Sequence, residues 1–502
     1  MPRFNGDRHR RALLLSKRLE VIAAERRNLV LQLEDLNEQA KTAQREFNML
    51  HNLDALTSNL PDEALAMVFE AGALPESSHR RHFGVAVSHV SSRWRRVALA
   101  TSRLWTMIVW RAQIFRLWPG QTRQKLQARA IAFLERSRLA PLDITIFQFQ
   151  LIDFTPVFLQ LLNDLIGRCR NLCIEDAQQE GLVKAIECLS NAAPLLSSID
   201  FSSDSIDPDI YVELPLLFPS GAPLLKSAQF HGIGVTSMHF ALPALGSITS
   251  LRLTGLLVDN SIQGGYLAFR NTLMALQSLH HLELRLDRYE DDDDTEDFPI
   301  VLPTVQYLRL EAPPGHLDML TCCFMAANLL VLSLEGWDGQ EYDLGMEDQS
   351  MHFPSLEHLI LTEIDINKPF LDAYTERFPD ITRLTCRVHP DARGCDMDYI
   401  LTPMCFGTQK YDYPPGVDGP PELDEDLDRW PKLEVIALSA TDTPLDPLLH
   451  SMVSMVQTGG SLRKLMLPDT LCARADASAM AELRKLVQVE DYSLDWPTPF
   501  RQ

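Results

Sequence analysis

A six-residue pattern, φ-x-x-φ-x-φ with φ apolar, limits what this chain can fold into more than any other feature. It recurs as Leu196/Ile199/Phe201, Leu225/Ala228/Phe230, Ile248/Leu251/Leu253, Leu279/Leu282/Leu284 and Val305/Leu308/Leu310. It continues as Leu329/Leu332/Leu334, Leu356/Leu359/Leu361, Ile381/Leu384/Cys386, Leu433/Ile436/Leu438 and Leu462/Leu465/Leu467, and Cys169/Leu172/Ile174 fits as an earlier copy. The average step is about 27 residues, with the step from 381 to 433 spanning two periods. The last two φ positions are two apart, so they share one face of a short strand. A single strand with its return segment cannot bury that face alone, so neighbouring units must stack side by side.

Period and motif resemble those of the leucine-rich repeats. The resemblance implies an α/β fold in which residues 141–502 form a solenoid with a curved parallel sheet on its concave side. Pro194, Pro223, Pro243, Pro303, Pro354, Pro379 and Pro431 precede copies near a turn. The Asn or Cys usual after the last Leu is missing from most copies, which implies longer return segments. Residues 387–430 skip one copy and carry Pro390, Pro403, Pro414, Pro415, Pro420 and Pro421, as a loop insertion does. Residues 287–297, DRYEDDDDTED, read as a solvated acidic loop, because the Gly and alternating ligands of an EF-hand are absent.

The residue between the last two φ positions, with its neighbours two away, faces out of the sheet. That surface contains Ser250, Arg252 and Thr254; His281, Glu283 and Arg285; Tyr307, Arg309 and Glu311; Val331, Ser333 and Glu335; His358, Ile360 and Thr362; and Arg383, Thr385 and Arg387. Arg252, His281, Glu283, Arg285, Tyr307, Arg309, His358 and Arg383 are the candidate substrate-binding residues, being of types that dominate interface energetics. Arg252, Arg285, Arg309 and Arg383 on one face would also permit a phosphorylated partner.

Residues 57–110 read differently. Asn59 is placed to cap a helix beginning at Leu60 or Pro61, with Asp62 and Glu63 in a first turn that favours negative charge. Leu65, Val68 and Phe69 make one apolar face, and Val87, Val90, Trp94 and Val97 give the stripe of a second helix. Leu104, Trp105 and Ile108 add a third apolar group. The ordered set Leu60-Pro61-x-Glu63, Val68-Phe69, Val87-Ser88-x-Val90, Trp94-Arg95 and Leu104-Trp105 resembles the F-box of fungal F-box proteins. Ala64 stands where that family prefers Ile or Val, and the connection at 70–82 is longer. The resemblance implies docking onto a Skp-type adaptor of a cullin–RING ubiquitin ligase, through Leu60, Pro61, Glu63, Leu65, Val68, Phe69, Val90, Trp94, Leu104 and Trp105.

Upstream, residues 10–52 within a first segment 1–56 carry a heptad. Leu15, Ile22, Leu29, Leu36, Ala43 and Leu50 fall seven apart, beside Leu19, Arg26, Leu33, Ala40 and Phe47. With no Pro or Gly between them, this is a coiled-coil pattern, read as a homodimer or as a helix packed back on its own chain. Between the F-box stretch and the repeats, residues 111–140 contain a linking helix at 121–138, with Leu126, Ala130, Phe133 and Leu134 on one face. Pro141 breaks it, and Leu142 to Ile146 alternates as a first strand.

Charge divides the chain. Residues 1–136 hold 22 Lys+Arg against 13 Asp+Glu, whereas the remainder holds 24 against 55. The acidic body argues against nucleic acid. Nine cysteines, an odd number without regular spacing, suggest reduced thiols, and no metal or cofactor set emerges. No span suits a bilayer and no secretory leader is evident, so a soluble cytoplasmic or nuclear protein is expected. Phosphate-loop, G-x-S-x-G and H-E-x-x-H signatures are missing, so no catalytic role is expected. The expected function is that of a non-catalytic substrate-recognition subunit of an SCF-type ubiquitin ligase, its repeats holding a protein substrate. The alternative is a coiled-coil and leucine-rich-repeat interaction scaffold outside the ligase.

Overall fold

The apolar pairs of the repeat become strands. The computed structural model describes residues 4–53, 56–73, 82–111, 121–203, 215–232, 242–259, 265–290, 299–313, 316–336, 352–364, 377–388, 430–439, 462–475 and 477–500. The acidic loop beyond residue 290 and residues 389–429 of the proline-rich insertion lie outside them. The chain divides into two compact units, Met1–Trp105 and Thr106–Gln502.

The second unit is built on an open sheet of 14 parallel strands whose spatial order is the chain order. Its strands are β1 (Met107–Arg111), β2 (Leu142–Phe147), β3 (Cys169–Ala177), β4 (Ser198–Ser203), β5 (Ser227–His231), β6 (Ser250–Asp259) and β7 (His281–Glu290). A two-residue strand β8 (Ile300–Val301) precedes β9 (Tyr307–Glu311), and β10 (Phe324–Met325) precedes β11 (Val331–Glu335). Then come β12 (His358–Ile364), β13 (Arg383–Val388), β14 (Val435–Leu438), β15 (Lys464–Leu467) and β16 (Gln488–Asp491). β8 and β10 pair only with each other.

Each motif position has one physical job. The first φ residue closes a turn: the N–H groups of Leu196, Leu225, Ile248, Leu279, Leu329, Leu356 and Leu433 each donate to the carbonyl three residues earlier. Pro194, Pro223, Pro354 and Pro431 occupy the second position of four of these turns, where a preset φ lowers the cost of forming them. The other two φ residues pair in register across strands. Leu251, Leu282, Leu308, Leu332, Leu359, Leu384, Ile436 and Leu465 form one continuous buried row. Just before the strands a second ladder runs through the stack, from Lys226 N to Ser197 O, Thr249 N to Lys226 O and onward to Arg463 N with Glu434 O.

The sheet extends one strand further at each end than the sequence reading placed it. β1 pairs with β2, so Ile108 and Trp110 belong to the sheet and not to the helical module ending at 110. Trp105/Ile108/Trp110 has the repeat's own spacing, hidden there by the F-box-like pattern. The helix at 111–140 is therefore more than a linker. As α5 (Gln121–Ser137) it is the crossover that two adjacent parallel strands require, burying Ala130 and Phe133. At the other end β16 pairs with β15, but Asp491 stands where the last φ residue belongs.

The first unit holds α1 (Phe4–Leu53), α2 (Asp62–Gly72), α3 (Phe83–Ser88) and α4 (Ser92–Ala100). At 1.5 Å per residue α1 is about 75 Å long. Its described side chains from Arg8 onward are all exposed, including Leu15, Leu19, Ile22, Leu29, Leu33 and Leu36, so no described residue of its own unit covers the heptad stripe. Pro61, not Asn59, takes the position before α2, and no side chain caps it; Asp62 and Glu63 do occupy the first turn.

The single second helix read through 87–97 is two. Ser91 accepts the Trp94 N–H at 3.2 Å and starts α4, while Arg95 Nε donates to the Ser88 carbonyl at 3.0 Å and covers the end of α3. A serine hydroxyl that competes for backbone N–H groups is the reason for the break. Leu65, Phe69, Val87, Val97, Leu104 and Trp105 form the core, with the Trp105 indole N–H bonded to the Ala98 carbonyl at 2.8 Å. Phe69→Ala is predicted to cost this unit about 3–5 kcal/mol, leaving a cavity beside Trp94, whose ring lies 4.9 Å away. Hydrogen exchange that accelerates in α2–α4 while the sheet stays protected checks this.

Candidate functional site

Strand register assembles a row of polar residues on the side of the sheet opposite the Leu/Ile row. Cys173, Asp200, Gln229, Arg252, Glu283 and Arg309 stand side by side on β3, β4, β5, β6, β7 and β9. Side chains link along it: Gln229 Nε2 donates to Asp200 at 3.3 Å, Arg252 Nη1 to Gln229 at 3.0 Å, and Arg252 Nε to Glu283 Oε2 at 2.5 Å. Two residues before that row lie His281 on β7 and Tyr307 on β9, and in register beyond them stand His358 on β12 and Arg383 on β13.

The expected substrate residues do share this face, but the face is not open. His281 and Glu283 are each only 4 % exposed, and His358 is buried with them. The cover is the chain's own segment Tyr492–Phe500. Asp495 Oδ2 accepts from Arg383 at 2.5 Å, and the Trp496 indole N–H donates to Glu283 Oε1 at 3.0 Å. The Phe500 ring lies 4.4 Å from the Arg252 guanidinium and 5.5 Å from His281. Trp496 also packs 5.1 Å from His281 and edge-on to Tyr307 at 6.3 Å. Sequence reasoning gave this segment no role. Two prolines bracketed by aromatic residues beyond the last readable repeat, in Asp495-Trp496-Pro497-Thr498-Pro499-Phe500, were the available signal.

Glu283 is the hub. Burial works to raise its pKa, yet hydrogen bonds from His281 at 2.8 Å and from Arg252, the charge of Arg252 and the Trp496 indole outweigh it and hold the carboxyl at about 2. It is therefore ionised at any physiological pH. Burial lowers His358 to about 3, with the Arg383 charge in the same direction and Asp495 opposing. His358 is thus neutral, its ring bonded to the Thr385 hydroxyl at 2.9 Å.

The arginines read as permitting a phosphorylated partner each have an acid beside them: Arg252 has Glu283, Arg285 has Glu311 at 3.2 Å, Arg309 has Glu335, and Arg383 has Asp495. A phosphate would have to displace a carboxylate at each of them. Cys173, Glu175 and Asp200 also converge, their ligand atoms within 4.8 Å of one another. The cluster is hydrogen-bonded internally, Cys173 Sγ lying 2.9 Å from Glu175, and burial with the Glu175 charge raises Asp200 to about 6, against the Arg252 charge.

In the helical unit the candidate docking residues split. Leu65, Phe69, Leu104 and Trp105 are core, and Trp94 is half-buried. Leu60, Pro61, Glu63, Val68 and Val90 are exposed, together with Met67, which the motif did not single out. Asp62 holds Arg93 and Arg96, each at 2.9 Å, tying α2 to α4 behind this surface.

The titrations of His358 and Asp200 have opposite consequences. The unfolded histidine takes a proton below its ordinary 6.5, whereas the folded one refuses it until about 3, so stability from this group is lost as pH falls from about 6.5. Asp200, raised from 3.8 to about 6, gains stability over part of the same range. The difference between the parent chain and His358→Gln isolates the first effect: the parent's urea midpoint falls relative to the variant's between pH 6.5 and 4.5.

No family model matches the chain, and no curated protein matches it significantly.

Proposed function

We propose that this chain is the substrate-recognition subunit of an SCF-type ubiquitin ligase, with an F-box in residues 57–105 and leucine-rich repeats in the sheet unit. The observation that carries the reading is the division within the helical unit. A core of Leu65, Phe69, Val87, Val97, Leu104 and Trp105 holds the module together, while Leu60, Met67, Val68 and Val90 stay exposed; Val68 alone keeps 56 % of its surface. Apolar side chains left outside a small, otherwise well-packed module suit a partner, and the Skp-type adaptor is the partner its sequence pattern implies. The repeat identity is supported by one strand per period in chain order and by the turn closed at each first φ residue.

In this mechanism the chain performs no bond chemistry. It holds a protein substrate near the ubiquitin carrier of the cullin–RING assembly, and the rate gain comes from raised effective concentration. The exposed heptad stripe of α1 is assigned to a homodimer, which adds avidity for a multivalent substrate.

Mixing the chain with a Skp-type adaptor and following size-exclusion with light scattering tests the docking. A one-to-one complex is expected, weakened at least about tenfold by Leu60→Asp with Pro61→Ala, as a central apolar contact implies. No complex from folded chain leaves the scaffold outside the ligase as the better reading. For α1, sedimentation is expected to give a dimer that Ile22→Asp with Leu29→Asp converts to monomer.

A further inference from the structure

We propose that the strand face around Glu283 is a binding site for an extended peptide bearing an acidic residue beside an aromatic one, with a second aromatic residue four positions on, and that Asp495, Trp496 and Phe500 occupy it in cis. The proposal rests on the receptor reading above, because it names the class of substrate segment that such a receptor captures.

Three anchors of different chemistry define the site. Arg383 takes the acidic side chain, Glu283 takes the indole N–H, and the second aromatic ring lies under Arg252 and against His281. The Glu283 carboxylate is fixed before any ligand arrives, with Arg252 on one oxygen and His281 on the other. The remaining acceptor capacity of Oε1 faces the ligand, and a hydrogen-bond donor such as the Trp496 indole N–H uses it. His281 and Tyr307 stack at 5.8 Å and make the wall on which the indole packs. Pro497 and Pro499 preset the backbone between the anchors, lowering the ordering cost of an extended ligand.

Two features mark the segment as a replaceable occupant and not simply another part of the core. Beyond Tyr492, whose N–H bonds the Leu467 carbonyl, the described attachments of the segment to this face are made by side chains, and Pro497, Thr498 and Pro499 between the anchors are exposed. Its fit is also incomplete. Arg383 Nε, on the strand side of the contact, is buried without a hydrogen-bond partner among the described residues. A ligand that supplies an acceptor there gains what the cis segment forgoes.

The test uses the full chain carrying Trp496→Ala with Phe500→Ala, and a fluorescent peptide of sequence DYSLDWPTPFRQ read by anisotropy. The opened chain is expected to bind the peptide at least about tenfold more tightly than the parent, whose own segment competes at high effective concentration. Arg252→Glu in the opened chain, or Asp and Trp exchanged for Ala in the peptide, is expected to abolish binding. Absence of binding to a folded, opened chain overturns the proposal, as does binding that Arg252→Glu leaves unchanged. If the double variant does not fold, Asp495→Ala, which removes one half-exposed ion pair, replaces it with the same criteria. Adaptor binding is measured on the same variant. Peptide capture without adaptor binding sinks the receptor reading alone, and adaptor binding without peptide capture sinks this inference alone.

Discussion

The structure depends on in-register stacking of apolar side chains between parallel strands. A strand such as β11 is five residues long and has no useful stability by itself. Its Leu332 is fully buried only because Leu308 and Leu359 stand beside it at the same height. Each strand therefore serves as the template for the next, and the turn closed by the first φ residue resets the register once per period. Stability of this kind is close to a sum of nearest-neighbour terms, which tolerates insertions between strands as long as the next apolar pair arrives in step. The step from β13 to β14 is about twice the usual length, and the pairing of Leu384 with Ile436 is kept.

The same register that stacks leucines on one side lines up charges on the other. Parallel pairing puts Arg252 beside Glu283 and Glu283 beside Arg309, so opposite charges alternate along the row. Most of these groups are partly desolvated, and a partly buried charge without a partner would be strongly destabilising. Asp495 and Trp496 complete the arrangement from outside the sheet, each reaching a group of the opposite hydrogen-bonding type. The binding proposed for this face and the integrity of the face thus draw on the same side chains.

Most of the sheet was legible because its signal is repeated. Leu282, Leu308 and Leu359 announce themselves by period, and alternation within the strand placed Arg252, Glu283 and Arg383 on one shared face. What escaped are features that occur once. β16 lacks the final apolar residue, carrying Asp491, whose carboxylate accepts the Asp469 and Tyr492 N–H groups. β1 was hidden because Trp105 and Ile108 satisfied a second pattern equally well. The break between α3 and α4 turns on one serine hydroxyl, a local competition that an apolar stripe continuous through Val90 conceals. The segment Tyr492–Phe500 could not be placed because its contacts run to residues far away in the chain, Asp495 to Arg383 over 112 positions and Trp496 to Glu283 over 213.

A single stack running without interruption from β1 to β16 is the central claim, and native-state hydrogen exchange resolved by peptide reads it most directly. Slow exchange is expected in each of the 14 strands of the large sheet, from Met107–Arg111 to Gln488–Asp491, slowest in the middle and falling off gradually toward the two edges. Free exchange in β1, in β16 or in any interior strand, with its neighbours still protected, would contradict it.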